Sequence, residues 1–135
     1  MKSIKLASLY FLLAYLISTI VVFTAYLIND IVMWVLIFTL MPVIFGYFFY
    51  FYLKKTECDL AGSLKETNLL IMFWILASLL FDGIVYIVIV PLFYGYNPRW
   101  IFFTEQPLWF FLDYMTIIIV GYISRYVYIK KVRKY

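Results

Sequence analysis

The chain has 135 residues, 67% of them hydrophobic and only 13% charged, against roughly 45–50% and roughly 25% in soluble domains; with a mean hydropathy of +1.01, a soluble fold of this size could not bury its apolar surface. No histidine is present and Cys58 is the single cysteine, which excludes disulfide frameworks, thiolate or imidazole zinc sites, haem ligation by His, and Cys/His or Ser/His/Asp catalysis. The net charge of +4 would suit nucleic acid only as a basic face on a soluble domain; the bases stand instead at the ends of apolar runs, so neither nucleic acid nor a metal or cofactor is expected.

Uncharged runs of about 20 residues, enough to cross ~30 Å of hydrocarbon, predict four spans in one membrane domain covering 1–135. The first runs from Leu6 to Ile28. Its basic start resembles a signal peptide, but it is too long and lacks a small-residue cleavage pattern, so it is expected to stay. Only Asn29 and Asp30 separate it from the second span, Ile31 to Leu53, which forces a tight helical hairpin. Pro42 is expected to interrupt that second helix. The connection "KKTECDLAGSLKET" is polar and ends in Ser63 to Glu66, a Ser-x-x-Glu signature that predicts the start of the third span, Asn68 to Phe93. Pro91 is a second expected interruption, and Asn97 and Pro98 carry turn chemistry. Pro107 then opens the fourth span, Pro107 to Ile129, with Glu105 at the positive end of its dipole. The expected fold is all-α: four transmembrane helices in an antiparallel bundle of two hairpins.

Lys2, Lys5, Lys54, Lys55, Lys65, Arg125, Lys130, Lys131, Arg133 and Lys134 fall on one side of that plan, and Arg99 alone on the other. By the positive-inside rule both termini and the middle loop are cytoplasmic, in a multi-pass protein of the plasma membrane with lipids as its surroundings. Trp34, Tyr94, Tyr96, Trp100 and Trp109 are expected at the outer interface, and Tyr50, Tyr52, Tyr126 and Tyr128 at the inner one. Few alanines against many Ile, Tyr, Phe and Lys suit an AT-rich prokaryotic genome. Cys58 is read as an inert thiol, with palmitoylation the alternative in a eukaryote.

The second span ends "FGYFFYFYLKK" and the fourth "VGYISRYVYIKK", while "FLLAYLISTIVV" aligns with "WILASLLFDGIV" and sets Thr19 opposite Asp82. A 2+2 parallel repeat would produce this pattern and would place a site between the halves. Gly46, Gly83 and Gly121 read as points of close helix approach.

Two carboxylates lie at depth. At about 1.5 Å per residue, Asp82 is ~24 Å from Glu66 and ~18 Å from Tyr94, and Asp113 lies ~12 Å below Glu105. An ionised Asp at the bilayer centre costs about 2.5–3.5 kcal/mol, so such residues normally face the bundle interior and find partners. Helical spacing offers Ser78 and Tyr86 beside Asp82, Gln106, Trp109 and Thr116 beside Asp113, and Ser8, Tyr15, Ser18, Thr19 and Tyr26 on the first helix. Arg125 is too far from Asp113 to neutralise it and is expected to snorkel, whereas Arg99 could fold over the outer mouth. Asp82, Asp113, Tyr86, Ser78, Tyr15, Thr19, Thr116 and Arg99 are therefore the candidate substrate- or ion-binding set.

In size, span number and topology the chain resembles the GtrA-like group of small membrane proteins associated with translocating lipid-linked sugars; the likeness is architectural and carries no residue over. It implies a carrier. The expected function is transport of a polar or lipid-linked substrate through a membrane-buried carboxylate, in a homo-oligomer because four helices enclose little room. The alternative is an accessory subunit packed on a partner membrane protein. An enzyme ranks third, since no nucleophile or phosphate loop accompanies the carboxylates.

Overall fold

A computed structural model describes residues 1–98, 104 and 107–132. It is all-α, with four helices packed antiparallel. Helix α1, Ile4–Ile28, starts where the Ser3 hydroxyl accepts from the Leu6 amide at 3.3 Å, a side-chain cap of the kind that satisfies an otherwise orphaned N–H. Helix α2, Asp30–Lys55, follows after one residue: Asn29 ends α1 in extended backbone, and its side chain accepts from Ile31 N at 2.7 Å to cap α2. Pro42 removes one backbone donor without ending α2, so the expected interruption there does not occur.

Helix α3 begins at Leu60, earlier than the Ser63 signature implied. Asp59 is the cap, accepting from Gly62 N at 3.2 Å. Ser63 is already inside the helix and donates to Leu60 O at 2.8 Å, which releases Glu66 from capping. The α-helical part ends at Asp82 and continues as a π-helical stretch, Gly83–Ile89, and one α turn, Val90–Phe93. Pro91 lies just beyond the π stretch, whose i→i+5 winding relieves the crowding a proline ring imposes on the preceding turn. The chain leaves the helix at Gly95 rather than at Asn97: its φ of +76° suits glycine, and its N–H reaches Leu92 O at 3.0 Å. Helix α4 is Pro107–Val132.

Three helical stretches, Ile4–Ile28, Ile31–Lys55 and Leu60–Phe93, are long and apolar enough to cross a membrane. Together with the exposed Leu, Ile, Val and Phe around the bundle, they make this a multi-span helical membrane protein. The two ends of the bundle differ. At the end bearing Lys2, Lys54, Lys55 and Lys130, here the lysine end, all four helices converge, and α2 packs against both α1 and α4. The core there is Phe45, Phe49, Tyr52 and Leu53 of α2 against Leu70, Ile71 and Trp74 of α3 and Ile117, Val120 and Tyr128 of α4. Phe49, Phe45 and Phe11 surround the Trp74 ring at centroid distances of 4.4, 5.6 and 6.0 Å. Toward the Asn29 end α1 and α2 stay paired, with Ala25 buried beside their turn, while the backbone of Gly83–Ile89 closely approaches no described helix other than its own.

Two glycines set the close approach. A Cβ on Gly121 would lie 2.7 Å from the Ile71 side chain and 3.2 Å from Phe49; one on Gly46 would lie 3.2 Å from Val120 and 3.5 Å from Ser124. Gly46 therefore faces the residue one turn past Gly121, and Gly121 the residue one turn past Gly46, which is a reciprocal crossing of two parallel helices. Gly83 has nothing within 4 Å of such a Cβ; the expectation of close contact fails there because no other described helix backbone approaches it.

Candidate functional site

Asp82 stands where α3 stops being α-helical, at the junction with the π-helical stretch. Its half-buried carboxyl accepts from the Tyr15 hydroxyl of α1 at 2.8 Å. Tyr15 packs in tilted contact with Phe11 and Phe81, with centroids at 5.7 and 5.2 Å. Tyr114 of α4 lies within electrostatic reach of the same carboxyl, and Tyr86 within reach of both Asp82 and Asp113. Asp113 lies within electrostatic reach of Asp82. Three phenols from three helices thus gather around Asp82, beside Phe11, Phe81 and Trp74, with Asp113 on the flank of the group.

No family model, curated protein or solved structure matches the chain. The chemistry of the cluster is therefore read from its own geometry.

The other candidate residues divide. Ser78 is buried one turn toward the lysine end from Asp82. Thr19 is exposed and donates to Tyr15 O at 2.8 Å, and Thr116 donates to Leu112 O at 2.9 Å; both hydroxyls are taken up by their own helices rather than by a carboxyl. Asp113 is exposed rather than inward-facing, because α4 packs through Tyr114, Ile117, Gly121, Ser124 and Tyr128, a seam that leaves Asp113 on its flank. Arg99, Trp100, Glu105, Gln106, Arg133 and Lys134 lie outside the described residues, as does the Trp109 side chain. Tyr114 was missing from the expected set, although the heptad-like spacing of that seam is its signal. Among the described residues no three His, Cys, Asp or Glu side chains are placed to share a metal ion.

A second polar cluster, unforeseen in the sequence, closes the lysine end. Glu66, only 6% exposed, accepts from the Tyr52 hydroxyl at 2.6 Å and from the Lys2 amide, and its other oxygen is 3.9 Å from the Met1 amine. The Tyr128 hydroxyl donates to Cys58 O at 2.7 Å and Tyr122 to Asn68 at 2.9 Å, while Ser124 donates to Gly46 O at 3.1 Å. Arg125 does not simply snorkel: half-buried, it donates to Ser63 at 3.2 Å. Tyr52 and Tyr128 are core residues rather than interface anchors, and Cys58 is buried, which suits an inert thiol. Chemically, the Asp82 cluster can hold a proton, pair with a cation or hydrogen-bond a polyhydroxylic head group, while Glu66 and Trp74 are buried toward the lysine end.

Proposed function

We propose that this protein is a small carrier for a polar or lipid-linked substrate, with Asp82 as its proton- or cation-binding group and Tyr15 as the partner that orients it. In this reading α4 is the fourth span, the lysine end is cytoplasmic, Asp113 and Arg99 form the outer mouth, and the protein acts as a homo-oligomer. The observation that carries it is the Tyr15–Asp82 hydrogen bond at the junction of the α- and π-helical windings, since carboxyls within spans so often mark ion and substrate paths. The π-helical winding beside Asp82 adds support, because such stretches concentrate at functional sites. The reciprocal Gly46 and Gly121 crossing is what a parallel 2+2 repeat would place on its axis. The test is proton entry into dye-loaded vesicles under an imposed potential. The wild type should acidify the lumen and Asp82→Asn should not; an undiminished rate in the variant removes Asp82 from the mechanism.

One observation favours the accessory-subunit reading. Ile84, Val88, Ile89, Leu92 and Phe93 are exposed on a helical stretch whose backbone closely approaches no other described helix. A fixed partner co-purifying in mild detergent, with Asp82→Asn tolerated, would support it; a chain that purifies alone and monodisperse would count against it.

A further inference from the structure

Away from the Asp82 cluster, a cavity of about 410 Å³ opens at the lysine end between α1 and α2, lined by Tyr10, Phe51, Lys54, Lys55 and Glu57. Its wall is aromatic and its rim cationic. Phe51 packs at a tilt on Tyr47 with centroids 4.5 Å apart, and Tyr10 meets Phe48 at 5.8 Å, so one side of the cavity continues into a shelf of rings on the outer faces of the two helices. Lys54 and Lys55 are both exposed in the last turn of α2. A third ammonium adjoins them: Lys2 Nζ donates to Thr56 O at 3.2 Å and Glu57 O at 3.1 Å, on the loop that borders the cavity. Three cations thus outweigh the single carboxylate of Glu57.

Both helices that form the cavity are apolar enough to span a membrane, so their shared end lies at the interface, where phospholipid phosphates sit. An aromatic wall beneath clustered ammonium groups matches the two halves of such a lipid: acyl chain and glycerol against the rings, phosphodiester against the lysines. We propose that this cavity binds the head group of an anionic membrane phospholipid, with Lys54 and Lys55 pairing with its phosphate and Tyr10 and Phe51 seating its glycerol end. The site needs neither transport nor a particular orientation of the protein. Basic pockets between spans are a recurrent form of lipid recognition, and each ammonium near an anionic surface is worth about fivefold in binding.

Lysine reactivity reads this directly on the intact wild-type chain. The protein is placed in nanodiscs of phosphatidylcholine, or of phosphatidylcholine with phosphatidylglycerol, and pulsed with an acetylating reagent; peptide mass spectrometry then compares Lys54 and Lys55 with the exposed Lys65 and Lys130. Phosphatidylglycerol should slow labelling of Lys54 and Lys55 by about fivefold relative to the two controls, and Tyr10→Phe with Phe51→Ala should remove that selectivity. Equal slowing at all four lysines would show a diffuse surface potential, and no slowing would show no binding; either result overturns the proposal. Inorganic phosphate added to phosphatidylcholine discs should not protect. If it protects as well as the lipid does, the ligand is a soluble anion and the lipid assignment fails.

Discussion

Single side chains decide what the Asp82 cluster is for, because the energies at stake are small. Hydrogen bonds between membrane helices average about 0.6 kcal/mol and reach about 1.7, so the Tyr15–Asp82 contact is a weak reason to keep a carboxyl at that depth. Tyr15→Phe should therefore lower unfolding stability in detergent by ~0.6–1.7 kcal/mol while strongly reducing the proton flux assigned to Asp82. Thr19→Val, which removes a hydroxyl bonded only to its own helix, should change neither. A flux untouched by Tyr15→Phe would leave the pair as scaffold. Asp82 and Tyr15 were legible in the sequence because one is an isolated acid in an apolar run and the other a phenol on the polar face of α1. Glu66 was not: an Asp that could cap stood upstream at Asp59, and Ser63 to Glu66 carries the same pattern whether it starts a helix or lies inside one. Only the tertiary fold, which brings Tyr52 and Lys2 to it, distinguishes a cap from a buried acceptor.

Along the elements, four helices and a minimal first hairpin could be read from uncharged run length and from the brief Asn29–Asp30 break, since both follow from bilayer thickness and chain geometry. The beginning of α3 could not. Its first two turns are polar, and a helix that projects past the hydrocarbon has the composition of a loop. Packing separates the glycines in a way periodicity cannot. Gly121→Ala places a methyl against Ile71 and Phe49 and should cost about 1–3 kcal/mol by overpacking. Gly83→Ala meets open space and should be neutral or stabilising by roughly 0.5–1 kcal/mol, the ordinary helical preference for alanine. Thermal unfolding of the two variants in one detergent compares them, and a similar loss in both would show that the Asn29 end packs as tightly as the other.

For the molecule as a whole, the distribution of bases predicts the orientation, and introduced thiols test it. Cys58 is 3% exposed, so a membrane-impermeant maleimide should react only where a new cysteine is placed. Asn29→Cys should label on intact cells and Lys130→Cys only after permeabilisation; the opposite pattern inverts the topology. The uneven packing, with Glu66 and Trp74 buried at one end and Gly83–Ile89 closely approached by no other described helix, was not legible, because apolar residues facing lipid and apolar residues facing protein are written in the same alphabet.

The one-residue hinge at Asn29 limits how such a molecule could move. With no slack between them, α1 and α2 must travel as a rigid clamp, carrying Tyr15 with them. Any change in access to Asp82 would then fall to the stretch beyond it, Gly83–Phe93, whose π-helical winding sets it apart from the α-helical turns on the other side of the carboxyl.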